Sequence, residues 1–179
     1  MDFLKRMFGL GSSDTPPEAE PAMISWVVLS DTCLDPTVES VRAMLDALYP
    51  GQFLPANDRN WVVAGVDPDS QFMIQSNVAG AAGMFMLQAV PGPYTMFSDF
   101  AEAITDPDLR ALALAQQAWL SVDAMHVHTT EAEAYRLIGS LLAKLAPPDA
   151  AVLVHPSKPI VMRFDDEVRT RLANGLQPT

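Results

Sequence analysis

The stretch from Ala118 to Val154 limits the fold more than any other part of the chain. Thr130 and Glu133 have the spacing of a capping box, in which each side chain satisfies a free amide at a helix start. Ala134, Leu137, Ile138, Leu141, Leu142 and Leu145 follow at i, i+3, i+4, i+7 spacing. That helix therefore has one apolar face, which must be buried. Pro147-Pro148 ends it. The flanking runs Ala118–Met125 and Ala150–Val154 are apolar and short, and read as strands. Such a unit buries its apolar faces only as part of a larger sheet.

The rest of the chain supplies that sheet. Met23–Leu29 reads as a buried strand. Asp35 offers an N-cap oxygen and Pro36 fits a first helical position, ahead of the stripe Val38, Val41, Leu45 and Leu48. Residues 61–66 and 71–76 form a hairpin across Asp67-Pro68-Asp69-Ser70. Met84–Val90 is a third strand, broken by Pro91-Gly92-Pro93. A helical region follows, with a fresh cap and first position at Asp106-Pro107. Ala150–Val154 and Pro159–Phe164 are two strands across His155-Pro156-Ser157-Lys158, and Asp165-Asp166-Glu167 opens a terminal helix. Short turns between neighbouring strands, mixed with helical crossovers, predict an α+β domain with a mixed or mainly antiparallel sheet packed against helices.

Residues 23–175 are expected to form this single domain. Residues 1–22 are a short amphipathic segment and a flexible linker. Ser12 to Ala22 is rich in Pro, Ser and acid and cannot offset its chain entropy by burial. Phe3, Leu4, Met7 and Phe8 beside Lys5 and Arg6 offer a weak membrane-surface or partner contact over residues 3–8. Lys5 and Arg6 interrupt the apolar start, so it does not read as a secretory signal. No apolar run reaches the roughly 20 residues of a membrane helix. One cysteine, Cys33, rules out an intramolecular disulfide framework and fits a reducing compartment. The expectation is a cytoplasmic protein. A formal charge of −11 disfavours nucleic-acid binding and would favour a protein partner that is basic, with acidity as a common route to solubility the competing reading. The oligomeric state stays open.

Few residues suggest chemistry. His126 and His128, two apart at a strand end, are the best candidate metal ligands, completed by His155, Asp123 or a distant carboxylate. The competing reading is exposed polar residues ahead of the Thr130 cap. Cys33 lies between Asp31 and Asp35, which oppose thiolate formation, so it reads as a small packed residue. The acids at 165–167 suit a helix start. Gly80 and Gly83 lack the rest of a dinucleotide-binding pattern. Met84, Met86 and Met96 read as core filling before an adaptable binding surface. No cofactor and no catalytic residue is expected.

Several of these features resemble an uncharacterised bacterial family, domain of unknown function 4261. They are the strand Met84–Val90 running into Pro91-Gly92-Pro93, the strand start Gln117-Ala118-Trp119-Leu120-Ser121-Val122, the capped helix at 130–145, the strand pair at 150–164 and the basic-apolar start Met1–Gly11. The likeness spans about residues 23–170 by element order. It implies an α+β domain and no established activity, and it carries over no catalytic residue. The leading expectation is a non-enzymatic protein-interaction domain, in a specific version an immunity-type inhibitor of a basic toxin. The alternatives are a metal-dependent hydrolase using His126, His128 and His155, and a self-assembling structural module.

Overall fold

The computed structural model of the chain describes residues 24–48, 50, 61–67, 71–76, 83–94, 101–102, 104–127, 130–158 and 160–178. Within them, β1 (Ile24–Ser30) leads to α1 (Val38–Leu48), then β2 (Trp61–Asp67), β3 (Gln71–Ser76) and β4 (Gly83–Pro91). After these come α2 (Pro107–Ala115), β5 (Ala118–Val127), α3 (Glu131–Leu145), β6 (Val152–His155), β7 (Ile160–Arg163) and α4 (Asp166–Ala173). This is the predicted element order. The described strands form one sheet in the order β2-β3-β4-β5-β1-β6-β7. Every pairing in it is antiparallel, so the sheet is antiparallel rather than mixed.

β1 sits near the middle, between β5 and β6, and Trp26 to Ser30 are all buried. Cover on both faces explains why Ile-Ser-Trp-Val-Val-Leu-Ser reads as a nearly continuous apolar run. β5 and β6 are both antiparallel to β1, hence parallel to each other, and α3 makes the crossover between them above β1 and β5. On this first face Trp26, Val28, Phe85, Leu87, Leu120, Val122 and Leu153 meet Leu137, Ile138, Leu141 and Leu142 of α3 and Val41 and Leu45 of α1. On the second face Val27, Leu29, Val152 and Val154 pack against Leu109 and Ala113 of α2. β4 shows the consequence of unequal cover: Phe85, Leu87 and Ala89 are buried, while Met86, Gln88 and Val90 between them are half-buried.

The helix ends follow side-chain chemistry. The Thr130–Glu133 capping box is present as predicted. Asp106 accepts from the amides of Asp108 and Leu109, and Asp165 from that of Val168. The first helix differs from expectation. It begins at Val38, not Pro36, because Thr37 and Ser40 cap each other: Thr37 Oγ1 accepts from the Ser40 amide at 3.1 Å, and Ser40 Oγ from the Thr37 amide at 2.8 Å. Two reciprocal bonds at Thr37 outweigh the single oxygen of Asp35. At the other end of α3, the Arg169 guanidinium donates to the carbonyls of Ala143, Ala146 and Pro147 at 2.8–3.1 Å. It thereby satisfies helix-end acceptors that have no partner within the helix.

The segment 1–22, the turn at 68–70 and the loop at 79–82 lie outside the described residues, and so do the expectations placed on them. Among the described residues, no helix is long and apolar enough to cross a membrane.

Candidate functional site

Two polar groups are set into the sheet, one on each face. On the first face, β6 ends at His155, which is 1% exposed. β6 and α3 bring it to Tyr135, in the second turn of α3. The Tyr135 hydroxyl lies 2.5 Å from His155 Nε2. The Ser157 amide donates to His155 Nδ1 at 3.2 Å. Nδ1 is thus an acceptor, so the proton of the neutral ring resides on Nε2 and is donated to Tyr135. Burial pushes the imidazole down to about 4, and the Lys158 ammonium nearby adds to the effect. Lys158 Nζ donates to the Tyr135 oxygen at 3.1 Å and pairs with Glu131 at 3.3 Å. Its ammonium is held above the ordinary lysine range, first by the bond to Tyr135. The Trp26 indole closes the cluster, edge-on to His155 at 5.0 Å and tilted on Tyr135 at 5.9 Å, with its own Nε1 buried and without a hydrogen-bond partner among the described residues.

On the second face, Asp123 of β5 is 8% exposed. The register places Ser25 of β1 opposite it on one side and Met86 of β4 on the other. The Ser25 hydroxyl donates to Oδ1, and the Ser121 hydroxyl donates to Oδ2 at 2.9 Å. Burial pushes the carboxyl up, and the two serine bonds oppose that shift. Tyr94 is near enough to respond: its hydroxyl is pushed up to about 12, first by burial and then by the Asp123 charge. The Tyr94 ring rests on Trp119 at 5.2 Å. Gln88 Nε2 reaches Met86 Sδ at 3.1 Å on the same strand face.

These placements bear on the expected histidine site. His155 has both ring nitrogens engaged. His126 lies in β5 opposite Met84, and His128 lies outside the described residues. Val154 faces Val27 and Trp26 faces Val122, so His155 and His126 are two strands apart and offset by four residues along the sheet. That separation is roughly 10 Å across and 13 Å along. Asp123, the other completing ligand considered, is on the opposite face from His155. Among the described residues, no group of three or more His, Cys, Asp or Glu side chains is placed to hold a metal ion. Cys33 is half-buried, its thiol donates to the Leu34 carbonyl at 3.4 Å, and burial followed by Asp35 pushes its pKa up.

Tyr135 was not singled out in the sequence, because its partner is 20 residues away on another element. The signal that points to the second group is local. Trp119, Ser121 and Asp123 alternate along one strand and so share a face, which makes that face partly polar. No protein-family model, curated protein or solved structure matches the chain.

Proposed function

We propose that this chain is a non-enzymatic protein-interaction domain that binds a basic partner, in its specific form an immunity-type inhibitor of a basic toxin. The observation that carries the reading is the placement of its surplus negative charge. Ser30 faces Ala118, Leu29 faces Val152 and Val152 faces Arg163, so the segments after β1 and β7 and before β6 share one end of the sheet. Asp31, Asp35, Asp165, Asp166 and Glu167 are exposed there, and Asp149 is half-buried among them. Thr32 fixes Asp149 with its amide and hydroxyl, at 2.8 and 2.7 Å. With a net charge of −11, such an end attracts a basic surface from a distance and speeds encounter. The saturated pairing of His155 supports a structural duty for that residue rather than metal-dependent hydrolysis. The order of elements supports the resemblance to the domain of unknown function 4261 family, which is part of this proposal. A cytoplasmic location belongs to it as well.

The test is capture from a native lysate on the immobilised full chain at low salt, followed by kinetics with the purified partner. The reading expects a basic protein at stoichiometric yield. Its association rate should fall at least tenfold as salt rises from low to molar concentration. Recovery of only neutral or acidic partners, or an association rate indifferent to salt, contradicts it.

A further inference from the structure

We propose that the outer edge of β7 is a self-association surface, which pairs antiparallel with β7 of a second copy of this chain and continues the sheet across a two-fold axis. The proposal goes beyond the reading of the chain as a binder of a basic protein and stands without it.

β7 is the last strand in the order of the described sheet, with β6 on one side of it only. The Phe164 amide donates to the Ala151 carbonyl at 2.8 Å, one step beyond the end of β7. Backbone groups alternate in direction along an antiparallel ladder, so Met162 also turns its N–H and C=O to β6. Val161 and Arg163 therefore turn theirs outward. Among the described residues no hydrogen bond reaches those outward groups. Arg163 is exposed and Val161 half-buried, so the edge lies at the surface. The helix that follows leaves it clear, because α4 turns back onto α3 on the first face.

Sheet edges are commonly blunted by bulges, prolines or lysines within the strand. β7 reads Ile-Val-Met-Arg and pairs with β6 without a register shift, so it carries none of these. Ile160 and Met162 rest on the first-face core and Val161 on the second-face core. The strand is thus held in place before any partner arrives, which lowers the cost of pairing.

Two features commit the edge to a second copy. The first is charge. β7 follows Lys158 and precedes Asp165, Asp166 and Glu167. Antiparallel pairing about a two-fold axis sets the basic start of each strand against the acidic end of the other. The second is register. Hydrogen-bonded pairs join residues whose groups both point outward. Val161 against Arg163 of the second copy, with Met162 on the axis, pairs every outward group of both residues. Val161 against its own counterpart would set Arg163 against Pro159, which has no N–H to donate. Arg163 against its own counterpart would oppose like charges. A strand of 4 residues makes a small interface, so the dimer is a weak one that forms at high chain concentration.

The test is sedimentation equilibrium of the full chain from low micromolar to millimolar concentration, with amide hydrogen exchange at both ends of that range. The proposal expects a reversible monomer–dimer equilibrium. Exchange at Val161 and Arg163 should slow only where the dimer is populated, and exchange at Met162 should be slow throughout. Arg163→Pro removes an outward N–H without touching the β6 ladder and should weaken dimerisation at least tenfold. If that variant does not fold, Asp166→Lys replaces it. It sets a lysine against Lys158 of the other copy and should weaken the dimer severalfold, while Asp108→Lys, the same charge change at the start of α2, should not. A chain that stays monomeric at millimolar concentration overturns the proposal. So does a dimer indifferent to Arg163→Pro, one weakened no more by Asp166→Lys than by Asp108→Lys, or one without slowed exchange at Val161 and Arg163. Slowed exchange at these residues only in complex with a captured partner gives the edge to that partner and overturns the second copy as its occupant. The broader reading fails separately, by the outcome of the capture.

Discussion

The Tyr135 hydroxyl accepts a hydrogen bond from Nε2 of the buried His155 and another from Nζ of the half-buried Lys158. A ring from α3 thereby ties the last residue of β6 to the turn that follows it. Replacing Tyr135 with Phe keeps the ring beside Trp26 but removes the acceptor. Lys158 can turn to water, whereas the His155 N–H stays buried and unpaired. Tyr135→Phe should cost about 1–3 kcal/mol, read from urea unfolding. An unchanged midpoint contradicts the pairing.

His155 also sets a pH dependence. Its pKa is about 4 in the folded chain, against an ordinary value of 6.5. The unfolded chain therefore binds the proton more readily. Stability from this group is complete above about pH 6.5 and is lost as pH falls towards 4, by about 3 kcal/mol in all. Carboxylates titrate in the lower part of that window, so the comparison is with His155→Gln. The stability gap between the two proteins should narrow from pH 7.5 to pH 4.5. A constant gap contradicts a neutral buried imidazole.

Arg169 joins the two C-terminal helices by closing the end of α3 and lying over the Phe164 ring at 4.7 Å. Arg169→Ala should destabilise the fold by about 2 kcal/mol, since charge-assisted bonds to three carbonyls are lost together. Thermal unfolding checks this, and Arg169→Lys should recover only part of the loss because an ammonium lacks the fork.

Cys33 should react slowly. Burial and the Asp35 carboxylate both disfavour its thiolate, which is the reactive form. Alkylation by iodoacetamide at pH 7.5 should be severalfold slower than for glutathione, and Asp35→Asn should accelerate it. Faster reaction than glutathione would mark the thiol as activated.

The element order was legible because periodicity separates helices from strands, and the α3 cap was legible because Thr130 and Glu133 are three residues apart. The start of α1 was misplaced by two residues, since Asp35-Pro36 is a strong local signal and the Thr37–Ser40 exchange is a weaker one in sequence. The candidate sites were harder to see. His155 read as a metal ligand because a sequence shows the residue type and not the hydroxyl and amide that fold onto its two nitrogens. Asp123 read only as a completing ligand for the histidine pair. Its place opposite Ser25 depends on β1 pairing with β5, elements nearly 100 residues apart, and alternation alone cannot name the facing strand.

The most direct test is the titration of the Asp123 side-chain carboxyl by 13C NMR in the full chain. A carboxylate buried between two serine hydroxyls should titrate above the ordinary aspartate range, because burial outweighs the two bonds. A pKa at or below the ordinary range would contradict the account.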